Sequence, residues 1–106
     1  MATGRLGAAD LAAATNTTLY TVPASTFAVV SVNVVNRSAS AVTIRLAISS
    51  SATPGDSEFI EYDTSLSSKG VLERTGLVLD AGKLLVIRSS AISVNAVVYG
   101  IETATA

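Results

Sequence analysis

Along most of this chain apolar and polar residues alternate with a period of two. From Val42 the sequence sets Val42, Ile44, Leu46 and Ile48 against Thr43, Arg45, Ala47 and Ser49, the pattern of a strand with one face on a core and the other turned outward. The preceding run does the same, with Ala28, Val30, Val32 and Val34 opposed to Ser31 and Asn33. Between them the segment NRSASA, residues 36–41, supplies small polar turn residues. That arrangement predicts either an antiparallel hairpin or a strand-to-strand corner. Further strands are predicted at 17–22, ended by Pro23, which has no N–H to give to a ladder, and at 58–63, 71–79, 83–88 and 92–101. The last alternates Ile92, Val94, Ala96 and Val98 against Ser93 and Asn95. Turn chemistry separates these runs at Asp80-Ala81-Gly82-Lys83 and at Ser89-Ser90.

About seven or eight strands, with turn signals roughly every 8–12 residues, predict an all-β fold, an antiparallel β-sandwich or a barrel. The only helix-favouring stretch, AADLAAA at 8–14, is short and follows Gly4 and Gly7. Residues 1–15 are therefore expected to form an extended N-terminal arm or edge strand, residues 16–102 the sandwich, and residues 103–106 a tail. The loop around Pro54-Gly55-Asp56 is the longest polar connection and is expected to be an exposed tip.

Composition sharpens this picture at the surface. A chain of 106 residues has room for one core. Only 14% of it is charged while 49% is hydrophobic, with a mean hydropathy of +0.53, against about 25% charge in an ordinary soluble domain. Either Ser, Thr and Ala cover the surface, or part of it is buried against other subunits. Net charge is −1 and the cations are scattered, so no electrostatic footprint for nucleic acid is present. No apolar run approaches the roughly 20 residues that span a bilayer, and the N-terminus lacks the apolar core of a signal peptide. The chain is expected to be made in a cytoplasm, and the sequons at Asn16 and Asn36 are expected to be turn chemistry.

Candidate chemistry is sparse. The chain has no His and no Cys, which removes Ser-His-Asp and Cys-His nucleophile sites, disulfides and thiolate metal sites. Its glycines stand singly, without a phosphate-binding loop, and no metal or cofactor is expected. Asp56, Glu58, Glu61 and Asp63 lie close together in sequence. Glu61 and Asp63 alternate with apolar residues, which reads as solvated strand-face charge before it reads as a cation site or a catalytic pair. Tyr20, Tyr62 and Tyr99 suit half-buried strand positions, with a sugar-stacking platform as the alternative. Arg45 and Arg88 fall on strands, where charge discourages edge-to-edge aggregation or forms inter-subunit ion pairs. Asn33 and Asn95, on outward positions of apolar strands, are candidates for hydrogen bonds across an interface. Arg5, Leu6 and Leu11 are candidates for contacts between the N-terminal arm and a neighbour.

Four segments carry a resemblance to a known class of proteins. They are TTLYTVPA at 17–24, VNVVNR at 32–37, IEYD at 60–63 and GLVLDAGK at 76–83. Together they resemble the small structural proteins of tailed bacteriophages, over residues 5–102. The resemblance implies a jelly-roll-like sandwich that self-associates as a trimer or dimer and joins the virion. Its leading implication is a head decoration, or cement, protein bound to the major capsid protein. A tail, neck or baseplate subunit is the second, and a carbohydrate-binding module is the reading from a different class. None of these expects an enzyme, a nucleic acid or a membrane partner.

Overall fold

The computed structural model describes residues 2–105; the outermost residues of the expected arm and tail, 1 and 106, lie outside them. Eight strands follow one another: β1 (Thr3–Leu11), β2 (Thr17–Thr21), β3 (Thr26–Asn36), β4 (Val42–Ser49), β5 (Phe59–Leu66), β6 (Val71–Leu79), β7 (Leu84–Ser89) and β8 (Val94–Ala104). They form two four-stranded sheets, sheet A in the order β1-β8-β3-β6 and sheet B in the order β2-β7-β4-β5. Every strand pairing is antiparallel. Among the described residues no helix is long and apolar enough to cross a membrane.

The pairings β1·β8, β2·β7, β3·β6 and β4·β5 are the rungs of one long antiparallel ribbon whose tip is the β4–β5 connection. Winding that ribbon on itself adds β3·β8 and β4·β7 and closes the two sheets. This is a jelly roll, and every connection except β4–β5 passes from one sheet to the other.

The volumes of the two inner faces are complementary. The central strands of sheet A contribute small residues, Ala28, Val30, Val32, Val34, Ala96 and Val98, while the central strands of sheet B contribute Ile44, Leu46, Leu85 and Ile87, all at most 1% exposed. Leu11, Leu77 and Leu79 fill the flanks from the edge strands of sheet A. Large against small is how facing layers interdigitate, and each of the valines, leucines and isoleucines contributes about 1.5–3 kcal/mol on burial.

The segment between β3 and β4 is a corner, and the hairpin alternative is overturned: β3 lies in sheet A and β4 in sheet B. Asn36 makes the turn. Its side chain is fully buried, and Nδ2 lies within hydrogen-bond distance of the carbonyls of Ser40 (2.8 Å), Leu66 and Ser67 (both 3.1 Å), while Oδ1 accepts from Ser38 N–H and Ser38 Oγ. Its backbone N–H donates to Gly70 O. One asparagine thus ties the end of β3 to the β5–β6 connection, satisfying carbonyls that a local hairpin would have paired by itself.

Other expectations shift in detail. Ile92, expected on the inner face of the last strand, lies in the turn before it, 66% exposed, because Ser93 takes a positive φ of 66° and β8 begins only at Val94. At the other end β8 runs on to Ala104, pairing Thr103 with Phe27 and Ala104 with Thr26. Ala47 and Ser49 are buried despite lying on the outward side of β4. Residues 3–11 are an edge strand in register with β8, not a detached arm.

Both margins of the sandwich are clasped by groups that reach from sheet to sheet. At the β1/β2 margin, the Tyr20 hydroxyl donates to the Glu102 carboxylate, and Ala14 N–H donates to Ser89 O at 2.8 Å. Here Gly7 permits a close approach, since a Cβ on it would stand 2.3 Å from Leu19 O. At the β6/β5 margin, Arg74 donates to Glu61 and to Ile60 O, the latter at 3.1 Å. Edge strands carry every register irregularity: β1, β2, β6 and β5 are each bulged against their neighbours, whereas β3·β8 and β4·β7 run unbroken. Gly76, at a φ of 68°, sits in the β6 bulge. Bulges twist an edge out of reach of another chain's strand, so these edges are poor templates for edge-to-edge pairing.

Candidate functional site

The outer face of sheet A follows from the register. Because paired residues share a face, Val78, Val29, Ile101 and Thr3 form one row, and Ser31, Tyr99 and Arg5 the next. Glu73, Asn33, Val97 and Ala8 form a third, and Val71, Val35, Asn95 and Asp10 a fourth. Val78 is 65% exposed, Val71 58% and Ile101 48%. Valine and isoleucine therefore fill the first row across three strands and recur in the fourth, on a face turned to solvent; exposed apolar area of this kind marks interaction sites.

The polar groups of that face are few. Arg37, just beyond β3, donates from Nε to Asn95 Oδ1 (3.1 Å) and pairs with Asp10 at 2.7 Å. Tyr99 reaches across β3 to donate to Glu73 at 3.3 Å. Asn33 lies between Glu73 and Val97, and its Oδ1 is buried without a hydrogen-bond partner. Neither Arg5 nor Glu73 has an ion-pair partner among the described residues.

Sheet B presents a different outer face. Arg45 and Arg88 stand directly opposite each other across β4·β7, a like-charge pair that alone is unfavourable. The bulge in β5 sets Tyr62 and Asp63 against Arg45, with Asp63 in the left-handed region at a φ of 51°. Arg45 donates from Nε and Nη2 to the two Asp63 oxygens (2.6 and 3.2 Å) and lies 4.3 Å over the Tyr62 ring. Hydrogen bonding from Arg45, with Arg88 adding to the field, holds the Asp63 carboxyl below its ordinary range; the same bond raises Arg45. Thr43, Arg45, Asp63, Arg88 and Ser90 line a shallow depression of about 200 Å³. Phe59 packs edge-on to Tyr62 with centroids 5.0 Å apart, beside Asp56.

The interface candidates thus divide among three places. Arg5, Asn33 and Asn95 gather on the outer face of sheet A, and Arg45 and Arg88 on that of sheet B. Leu6 occupies the β1 bulge, half-buried against the core. Leu11 is 3% exposed within the core, so its side chain serves this chain's own packing and is corrected as a partner contact. The six aliphatic residues of the sheet A face were not singled out by alternation. Their signal is in β3, where Phe27, Val29 and Val35 make the outward positions apolar too, as in strands covered on both sides.

The acidic and aromatic sets do not assemble. Tyr20 is buried, Tyr62 faces out from sheet B and Tyr99 from sheet A, so no platform unites them. Glu58 folds the 50–58 loop, accepting from Gly55 N–H (2.8 Å) and Ser50 N–H (3.0 Å), which lowers its pKa. Glu61 is lowered chiefly by the Thr64 hydroxyl and then by Arg74. No group of three or more metal-ligating side chains occurs among the described residues. No protein-family model matches the chain, and no curated protein matches it.

Proposed function

We propose that this chain is a structural subunit of a phage particle, a head decoration protein that binds the assembled capsid shell and stabilises it. The observation that carries the reading is the apolar outer face of sheet A on a jelly roll whose edges are all bulged. Such a surface has no use in an isolated monomer, and it suits a subunit that draws part of its stability from neighbours. The phage-like segments support it from a second side. They fall on the joints of the winding: Tyr20 at one clasp, Asn36 at the corner, Glu61 at the other clasp and Gly76 at the β6 bulge.

The mechanism is mass action. A subunit that binds the closed shell and not its separated parts adds its binding free energy to the shell, about 2.7 kcal/mol per site at a free concentration of 100 Kd. Symmetric copies multiply that gain through avidity. The copy number of this chain relative to the major capsid protein in purified particles tests the reading by quantitative mass spectrometry. A ratio near one, or a simple fraction of it, is the expected result. Trace amounts move the subunit to the tail, neck or baseplate, and complete absence ends the virion reading.

A further inference from the structure

We infer that the outer face of sheet A is a two-fold self-association surface, with a second copy of this chain as its occupant. The inference deepens the reading that this face is covered during the protein's work, and names what covers it.

Size is the first argument. Four strands about 4.8 Å apart, the longest about 36 Å at 3.3 Å per residue, give a projected face of roughly 700 Å². Its accessible area is larger than its projection and so approaches the roughly 800 Å² that each partner buries in a stable interface. Composition is the second. Val78, Val29 and Ile101 fill one row and Val71 and Val35 another, with Val97 between them, so aliphatic side chains bracket the polar middle rows of Ser31, Tyr99, Arg5, Asn33 and Glu73. Homodimer interfaces are more apolar than the rest of a protein's surface.

Charge is the third argument, and it selects a second copy over an unrelated partner. The two charges of this face without an ion-pair partner among the described residues are of opposite sign, Arg5 on β1 and Glu73 on β6. Those strands are the opposite margins of sheet A, and the two residues lie in adjacent rows. Rotation by 180° about an axis along the strands, between β8 and β3, exchanges the margins. Arg5 of one copy then faces the Glu73 region of the other, twice per dimer, as an isologous interface requires. The same operation sets Val97 over Asn33 and Tyr99 over Ser31 of the other copy. The unpaired Asn33 Oδ1 thereby lies at the centre of the contact, beside the other copy's Tyr99 hydroxyl, which bonds Glu73 weakly at 3.3 Å. Edge-to-edge pairing is the competing route to a dimer, and the bulges on all four edges oppose it.

The test is the solution mass of the purified full chain, by light scattering on a sizing column and sedimentation across a concentration series. The expected mass is that of two chains. Val78→Lys with Ile101→Lys, both at exposed positions, should yield a monomer with an unchanged circular dichroism spectrum. Arg5→Glu and Glu73→Arg should each weaken association at least tenfold, and the two together should restore it. A monomeric wild type at ~100 μM, far above the Kd of a stable dimer of this size, overturns the inference. So does a dimer that persists in the double lysine variant. A Tyr62→Lys control on sheet B should leave the mass at two chains. Because these masses are read without particles, a monomer overturns the face assignment alone, whereas absence from purified particles overturns the virion reading alone.

Discussion

The two sheets of this sandwich have opposite outer surfaces. Sheet B is finished for water: Asp63 pairs with Arg45 and lies in the field of Arg88, Tyr62 packs beneath the guanidinium of Arg45, and Glu58 folds the 50–58 loop beside them. Sheet A leaves valines and an isoleucine in the open and a buried amide oxygen unpaired. Both share the same inner-face logic, so the difference is not a demand of the fold. Core packing dictates one side of each strand, and the other side is free to record what the protein meets. On sheet B that side carries charge paired for solvent, and on sheet A it carries the apolar rows that we propose another copy covers.

The largest perturbation removes the frame on which both faces depend. Asn36→Ala strips the buried corner of its donors to Ser40, Leu66 and Ser67 and of the acceptor for Ser38. It should cost about 3 kcal/mol, read as a lower denaturant midpoint at unchanged m-value. If the loss stays below about 0.5 kcal/mol, the corner is not held by this side chain.

Acid should act next, through the clasps. Glu102 is held below its ordinary carboxyl range by the Tyr20 hydroxyl and Ala2 N–H, and Glu61 by Thr64 and Arg74. A carboxyl depressed in the folded state contributes stability above its unfolded pKa and loses it as pH falls through the folded value. The melting temperature should therefore fall as pH drops below about 4, the unfolded carboxyl range. Glu61→Gln with Glu102→Gln should flatten that limb. Tyr20, pushed up by burial and then by Glu102, works in the opposite direction: stability is lost as pH rises beyond about 10, the unfolded phenol value. An acid limb of equal slope in the double variant would place its origin elsewhere.

Arg74→Ala opens the β6/β5 margin and should cost about 1 kcal/mol, since the pair is only partly shielded from water. The smallest effect is expected on sheet B. Arg88→Ala removes a like charge opposite Arg45 and should change stability by less than about 0.5 kcal/mol, neutral or favourable, with association untouched. A large loss of association from this substitution would exchange the roles of the two faces.

The strands were legible because a two-residue period is a local signal, and β4 and β8 obey it closely over most of their length. Pairing was only half legible, because the partner of β3 is decided by how the whole ribbon winds; residues 36–41 read equally as a hairpin or a corner until Asn36 is seen holding the β5–β6 connection. Leu11 and Ile92 exchanged expectations for the same reason. An apolar residue in an alanine-rich stretch gives no sign that it closes a core, and one positive φ at Ser93 puts Ile92 outside the strand. Of the candidate surface, Asn33, Asn95 and Arg5 were visible as polar residues among apolar ones. The valines around them had been assigned to strands without an occupant for their second side.

Two tyrosines allow the central contrast to be measured in one sample. Tyr99 lies on the outer face of sheet A and Tyr62 on that of sheet B. Hydroxyl-radical footprinting across a concentration series should show Tyr99, with Val78 and Ile101, becoming protected as the chain associates, while Tyr62 stays as reactive as in dilute solution. Protection of Tyr62 with Tyr99 left open, or no change in either through the association range, would contradict the account.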